Sequence, residues 1–436
     1  MSRRTLCIIG VVGCSPFSKP APAPEDALDS AVVVDSADTG EAPEPDIRAW
    51  RGTRALTVPD LEEDARYGRS LASVDSDGDG AEELFVGAYK TRTHADRAGQ
   101  VWRYPTLETD AREAIDPPGP HTLQRFGAHF AEVGDVDGDG YDDLAVTALG
   151  DDAEGYRAGA VYVLHGSMKG PDRDRDVRLT SSEPGREHEY GTSLTALGDI
   201  DGDGTGDLAV GDTHARDFEG VVEVWLGGVS PERVRVFLPD GAGSDGSSFG
   251  SRVRGGDLDG DGQRELLAGT STRLWRFPDA GPGAADPVLL DLGLQDERGT
   301  WPVLGTTGDL DGDGADDIGT TGQATLLFGS PEGPTATSVS LSVDDTALLV
   351  HDLAILPGQG VLLSDVSRTT DVGVGTVFWW TEDALSEPGL PVVPPDGVFV
   401  ACFGSDFARV DDVVVVGDSC AEGKSGQVVL FEAELE

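Results

Sequence analysis

The sequence predicts an all-β fold, a β-propeller of four-stranded antiparallel blades, and three observations lead there. A nine-residue acidic phrase occurs five times, beginning at Asp75, Asp135, Asp199, Asp257 and Asp309. The copies return every roughly 60 residues, and self-similarity at such a period signals a repeat architecture. Between copies the same order of short apolar runs recurs, enough for four strands per unit, which is one propeller blade.

Each unit opens on an aromatic-glycine pair that leads into a first strand: Tyr67-Gly68, Phe126-Gly127, Tyr190-Gly191 and Phe249-Gly250. The acidic phrase follows, and after it an apolar second strand: Leu84-Phe85-Val86, Leu144-Ala145-Val146, Leu208-Ala209-Val210 or Leu266-Leu267-Ala268. A polar loop of variable length (91–98, 150–158, 212–219) separates this from a third strand at Gly99–Tyr104, Gly159–Leu164 or Gly220–Trp225. A weaker fourth strand precedes the next aromatic-glycine pair, read at Thr122-Leu123 in the first unit and at Arg233–Phe237 in the third.

The phrase carries oxygen ligands at its first, third, fifth and ninth positions, with the backbone carbonyl of the seventh between them. The candidate ligands are Asp75, Asp77, Asp79, Ala81 and Glu83 in the first copy and Asp135, Asp137, Asp139, Tyr141 and Asp143 in the second. The third offers Asp199, Asp201, Asp203, Thr205 and Asp207; the fourth, Asp257, Asp259, Asp261, Gln263 and Glu265; the fifth, Asp309, Asp311, Asp313, Ala315 and Asp317. Glycine at the sixth position permits the sharp turn that wraps such a set around a hard cation of six to eight oxygens, which selects calcium, about five ions in all. An EF-hand is excluded: its bidentate glutamate belongs at position twelve, where this chain has Val86, Val146, Val210, Ala268 and Thr320 in strand-like runs. The loop therefore joins strand to strand.

With these parts in this order, the chain resembles the FG-GAP repeat proteins, bacterial relatives of the integrin alpha-chain propeller, over about residues 54–436. The resemblance implies a seven-bladed ring, placed at 47–436, with blades six and seven degenerate and without calcium. In blade five Trp301 stands where an aromatic-glycine pair is expected. Blade six keeps apolar runs at Leu348–Val350 and Val361–Leu363, and its acidic loop is reduced to Asp352–Gly358. The last unit supplies only three strands, so Arg54–Val58 is expected to complete it and close the ring, which removes the exposed sheet edge.

Composition narrows the function. A net charge of −48 makes nucleic acid an improbable partner, because phosphate binding needs a basic face. The continuous repeat leaves no room for a separate catalytic domain, and no catalytic grouping stands out. The histidines lie mostly between strands without metal-ligand spacing, and no nucleophile elbow or phosphate-cradling loop occurs. Trp102, Trp225, Trp275, Trp379 and Trp380 mostly occupy third strands, which favours packing over sugar stacking. The variable loops are the better contact surface.

Residues 1–13 combine two arginines with a short apolar run, as in a secretory signal. Val11-Val12-Gly13-Cys14 is similar to a bacterial lipobox, which makes Cys14 the lipidated N-terminus; an ordinary signal with an incidental cysteine is the alternative. Residues 14–46, acidic and rich in proline and alanine, read as a disordered tether. Cys402 and Cys420 then remain in the ring, either as a disulfide suited to an oxidising compartment or as buried thiols. These readings together describe a non-enzymatic, calcium-binding lipoprotein of the cell envelope, on the outer membrane or the cell surface. Its loops would bind a protein or a glycan, and the membrane would be met through the lipid alone. An enzyme acting on envelope or extracellular polymers and a structural subunit of an envelope complex are the alternatives.

Overall fold

The computed structural model describes residues 47–237, 248–270, 273–278, 280–281, 287–290, 304–321, 324–331, 333–334, 338–342, 350–356, 359–365, 376–381, 384–385, 389–395, 402–420 and 425–435. The signal segment 1–13, Cys14, the tether 14–46 and Trp301 lie outside them. The described strands form seven four-stranded sheets. Blade one holds β2 (Tyr67–Val74), β3 (Glu83–Ala88), β4 (Val101–Tyr104) and β5 (Glu113–Ile115). Blade two holds β6 (Phe126–Gly134), β7 (Asp143–Ala148), β8 (Ala160–Leu164) and β9 (Val177–Leu179). Blade three holds β10 (Ser193–Gly198), β11 (Asp207–Asp212), β12 (Val221–Leu226) and β13 (Glu232–Phe237). Blade four holds β14 (Arg252–Gly256), β15 (Glu265–Gly269), β16 (Leu274–Phe277) and β17 (Val288–Leu290). Blade five holds β18 (Leu304–Gly308), β19 (Asp317–Thr320), β20 (Thr325–Leu327) and β21 (Ser338–Ser340). Blade six holds β22 (Val350–Leu356), β23 (Gly360–Asp365), β24 (Thr376–Trp380) and β25 (Leu390–Val392).

The last sheet runs β26 (Phe403–Val410), β27 (Val413–Asp418), β28 (Gln427–Leu435) and then β1 (Ile47–Leu56), which pairs antiparallel with β28 from Ile47 opposite Leu435 to Leu56 opposite Val428. The N-terminal strand thus closes blade seven as its outermost strand. It begins seven residues earlier than Arg54 and ends at Leu56 because the apolar positions Trp50 and Leu56, both buried, anchor it. The innermost strands β2, β6, β10, β14, β18, β22 and β26 contact one another in sequence, and β26 returns to β2. The result is a closed seven-bladed propeller.

Two other sequence expectations are corrected. The fourth strand of blade one is Glu113–Ile115 and not Thr122-Leu123, which lies in a turn where Leu123 has φ 67°. In blade six, Asp352 belongs to the first strand itself and pairs with Ser364, because residues 352–356 are apolar after the aspartate and form a hairpin arm with 360–364. The acidic loop there has become strand.

Register is repeated from blade to blade. Leu84 faces Tyr104, Leu144 faces Leu164, Leu208 faces Trp225, Leu266 faces Phe277 and Ile318 faces Leu327. The apolar runs of the second strands are buried on both faces, as expected for a strand sandwiched between neighbouring blades. Seven apolar clusters form, one at each blade junction; Phe85 and Val101 of blade one, for example, pack with Phe126 and Leu144 of blade two. Each fully buried aromatic there is worth about 1.5–3 kcal/mol relative to exposure.

The aromatic-glycine pair explains itself at these junctions. The rings of Tyr67, Phe126, Tyr190 and Phe249 are fully buried. Their N–H groups donate to Ser425, Ala98, Ala158 and Glu219, each the residue just before the glycine that opens the preceding blade's third strand. That glycine has to be glycine: a Cβ on Gly220, at φ 79°, would stand 2.1 Å from the Phe249 carbonyl oxygen. Gly220→Val is therefore expected to cost more than about 3 kcal/mol, combining strain at positive φ with a backbone clash. A chemical melt against Gly228→Val, whose Cβ would meet nothing within 4 Å although φ is also positive, isolates the clash.

Cys402 and Cys420 are joined by a disulfide with Cα atoms 5.1 Å apart, bracketing the β26–β27 hairpin. A crosslink closing 18 residues contributes about 3 kcal/mol in the chain-entropy account.

Candidate metal loops

Each acidic phrase connects the first strand of a blade to the second, and the backbone folds it by a repeated set of hydrogen bonds. The first aspartate is the hub. Asp199 Oδ1 accepts the N–H groups of Gly202 and Asp203 at 2.7 and 3.0 Å, and its Oδ2 accepts that of Gly204 at 2.8 Å. Asp75, Asp135, Asp257 and Asp309 do the same with two or three N–H groups of their own loops. The glycine at the sixth position holds φ between 88° and 91° in all five loops, and a Cβ there would meet nothing within 4 Å. Conformation alone, and not space, demands glycine at that position.

The ninth carboxylate reaches back to the second residue: Ser76, Val136, Ile200, Leu258 and Leu310 donate N–H bonds of 2.8–2.9 Å to Glu83, Asp143, Asp207, Glu265 and Asp317. Its other oxygen is anchored in one of two ways. Where it is Asp, a glycine N–H beyond the third strand supplies the bond: Gly166 to Asp143 and Gly227 to Asp207 at 2.7 Å, Gly329 to Asp317 at 2.8 Å. Where it is Glu, an arginine on the third strand does so. Arg103 Nη2 lies 2.8 Å from Glu83 and 2.7 Å from Asp77; Arg276 Nη2 lies 3.0 Å from Glu265 and also bonds Asp259. A guanidinium nitrogen thus stands between the third- and ninth-position carboxylates of loops one and four, where a cation would compensate their charge.

Loop two is intermediate. His165 Nδ1 sits 3.0 Å from Asp143 and 3.4 Å from Asp137, and Arg175 pairs with Asp137 and Asp139 from a half-exposed position. Among the described residues no basic side chain pairs with loops three and five. The oxygens of Asp199, Asp201 and Asp203 lie within 4.8 Å of one another.

The electrostatics follow these partners. Burial pushes Asp207 up to about 6, against the hydrogen bonds from Gly227 and Ile200 and together with the charges of Asp201 and Asp199. Asp317 is pushed up to about 6 in the same way, by burial and by Asp311 and Asp309. Burial also raises Glu83 and Glu265, opposed by Arg103 and Arg276. Burial lowers His165, but its bond to Asp143 and the charges of Asp143 and Asp137 outweigh that and raise it overall. A carboxyl whose pKa is higher folded than unfolded contributes stability that is fully present below its unfolded value and is lost as pH rises through its folded one. The metal-free protein is therefore expected to lose stability between about pH 4 and pH 6, a slope that Asp207→Asn with Asp317→Asn should flatten. Urea melts in chelator across that range check it.

In loops one, two and four the residues fit a hard cation by a direct test. Asp77 Oδ1, Asp137 Oδ1 and Asp259 Oδ1 are buried without a hydrogen-bond partner. An orphaned carboxylate oxygen is costly and calls for a compensating group. The third-position aspartate, the one member of the set that the backbone leaves incompletely satisfied in these loops, is the ligand a metal would complete.

The structure also places the remaining sequence candidates. Trp225, Trp275, Trp379 and Trp380 are buried packing residues, and the Trp225 indole donates to the Tyr190 hydroxyl at 2.8 Å. The variable loops join second to third strands, so antiparallel topology puts them on the face of the ring opposite the acidic loops. Tyr156 and Phe218, on the loops of adjacent blades, are about half exposed there. Asp212 is the last residue of β11 and not a loop residue. Among the described residues no helix is long and apolar enough to cross a membrane.

The arginine counter-ions and His165 are what sequence reasoning missed. A signal existed for the arginines: glutamate replaces aspartate at the ninth position only in blades one and four, whose third strands read Val-Trp-Arg-Tyr and Leu-Trp-Arg-Phe.

Comparison with known proteins gives a consistent picture. The FG-GAP repeat family model matches residues 130–164, which span most of blade two with its acidic loop. Integrin alpha-PS2 of Drosophila melanogaster is 33% identical over 179 residues, 38% of this chain and 13% of that protein. Integrin alpha-4 of Xenopus laevis is 35% identical over 149 residues, 33% of this chain and 14% of that protein. The chain thus spans about an eighth of the length of the curated relatives it matches. Among solved structures, BBS1N, crystallised in complex with ARL6DN, aligns over 89% of this chain and 98% of its own at a TM-score of 0.50 and 13% identity, a likeness of fold alone.

Proposed function

We propose that this FG-GAP repeat propeller, integrin alpha-like in its repeats and closed ring, is a calcium-stabilised binding protein of the adhesion type, not an enzyme. The observation that carries the calcium reading is the pair of open loops. Asp207 and Asp317 are fully buried, feel the charges of Asp199 and Asp201 and of Asp309 and Asp311 respectively, and have no basic partner among the described residues. Asp199, Asp201, Asp203 and Asp207 with the Thr205 carbonyl, and Asp309, Asp311, Asp313 and Asp317 with the Ala315 carbonyl, would hold the ion. Calcium supplies charge compensation there. It does no chemistry on a substrate, because every candidate ligand is spent on the loop.

Loops one and four carry their own counter-charge in Arg103 and Arg276, so a metal ion must displace a guanidinium to fill them, a buried one in loop one. Loop two, held by the half-exposed Arg175, ranks between. Five candidate sites therefore become a graded set. A site that binds the native chain only adds about 2.7 kcal/mol at a hundredfold excess over Kd. Thermal melts in calcium and in chelator test this; a melting temperature that ignores chelator would sink it.

Partner contact falls to the opposite face. The exposed aromatic side chains of Tyr156 and Phe218 on rigidly based loops have the composition of interface anchors for a protein or glycan. Envelope location through lipid on Cys14, with residues 1–13 as signal and 14–46 as tether, belongs to the same reading. Affinity capture from solubilised envelopes should lose its partner with Tyr156→Ser and Phe218→Ser but retain it with Asp199→Ala. The reverse result would place recognition on the acidic face. Mass measurement of the membrane-extracted chain, with Cys14→Ser as control, tests the anchor.

A further inference from the structure

The propeller axis holds a cavity of about 780 Å³ lined by all seven innermost strands. In a chain of net charge −48 its lining is unexpectedly basic. Arg69 on β2, His129 on β6 and both Arg252 and Arg254 on β14 face it. Each follows an aromatic-glycine pair by only a few residues, so they gather at the mouth opposite the acidic loops. Arg252 and Arg254, two apart on one strand, share a face.

Among the described residues no ion pair neutralises these guanidiniums, although the charges of Asp352 and Asp406 act on Arg252 and Arg254 across the cavity. The bonds of Arg69, Arg252 and Arg254 go to backbone carbonyls of Ser405, Ser251, Gly305 and Val253. Most of their donors remain free, since a guanidinium offers five. The acids sharing the cavity hydrogen-bond backbone N–H groups and not the guanidiniums. Asp406 accepts the N–H groups of Leu71 and Phe407, Asp352 accepts that of Leu353, and Glu132 accepts that of Ser73. Burial first, and then the charges of Arg69, Arg252 and Arg254, pull His129 down to about 3. Burial and its neighbour Arg254 also lower Arg252.

From this geometry we infer that the axial mouth is a binding site for a small oxyanion, held by Arg69, Arg252 and Arg254 through charge-assisted hydrogen bonds. Arginine clusters of this kind recognise phosphate, sulfate and carboxylate groups by their forked donors. Like charges crowded in a concave site are relieved by the ligand, so the site is poised when empty. The inference is independent of the calcium reading, because it uses the other end of the ring.

The test uses the full chain in chelator at constant ionic strength, titrated calorimetrically with sodium sulfate, phosphate or acetate against chloride. At least one oxyanion should bind saturably at one per chain. Arg252→Gln with Arg254→Gln should weaken it at least tenfold. The same double variant should melt no lower than the parent in chloride, since repulsion is removed, which separates lost binding from lost folding. His129 provides a second readout: its imidazole titration should move to higher pH in the saturating oxyanion. No saturable binding by any of the three, undiminished binding by the double variant, or an unmoved His129 titration overturns the site.

Discussion

Arg103→Met is expected to cost about 3–5 kcal/mol in chelator and to be largely rescued by calcium. Arg103 is 3% exposed and stands between Glu83, 2% exposed, and Asp77, with Glu113 behind it. Methionine fills the stem's volume but leaves two carboxylates facing each other without a cation, and removing one partner of a buried charge pair carries a penalty of that size. The rescue distinguishes this account from simple loss of packing. Once the guanidinium is gone, loop one presents the same open set of oxygens as loop three, so the variant should gain calcium binding as it loses intrinsic stability. Arg276→Met should repeat the pattern more weakly, as its side chain is 14% exposed. Urea melts of parent and variants in chelator and in calcium read both effects. Equal destabilisation in the two buffers would mean that Arg103 is only a packing residue.

Removing residues 1–56 is expected to abolish cooperative unfolding of the ring. β1 is the fourth strand of blade seven, and it fastens the first-sequence segment to the last. Its Trp50 packs edge-on to Trp379 of blade six, with ring centroids 6.4 Å apart, and shares a buried cluster with Phe431 and Val377. Leu56 is buried in the cluster between blades seven and one. Trp50→Ala alone should cost about 3–5 kcal/mol. Truncation adds the loss of Leu56 and of the ladder along β28, and it leaves β28 as an open edge prone to pairing with other chains. A peptide of residues 47–56 added in trans should restore the melt by strand addition. A truncated chain that still melts cooperatively at the parent temperature would show that the seam is dispensable.

Blades one to four were legible because their parts are local. An aromatic-glycine pair, an alternating strand, a loop with fixed spacing and a second strand all sit within some twenty residues, and each reads from its own composition. Ring closure was legible from bookkeeping of strands, although Ile47–Arg51 escaped because Arg48 and Arg51 interrupt its apolar residues. Blade six was harder. Its first strand contains Asp352, whose acidity suggested a remnant loop, while the hairpin partner Gly360–Ser364 that makes it a strand is a tertiary fact.

The candidate loops divided along the same line. Spacing gave the carboxylates and the glycines, including the reason for glycine at the sixth position. It did not give the charge partners, since Arg103 is twenty residues from Glu83 and His165 twenty-two from Asp143, and both reach the loop by cross-strand register. Five phrases of the same spacing therefore looked equivalent. In the folded ring they are not, because the third strand decides which of them already holds a cation. The basic axial mouth was equally hidden, its arginines being split between β2 of blade one and β14 of blade four.

Counting calcium on the full-length, chelator-treated protein by titration calorimetry tests the central claim most directly. The account predicts that the tightest binding belongs to the two loops without a basic partner, is removed by Asp199→Ala and Asp309→Ala, and is untouched by Arg103→Met, which instead adds a site. Five equivalent sites, or tight binding that survives both aspartate substitutions, would contradict it.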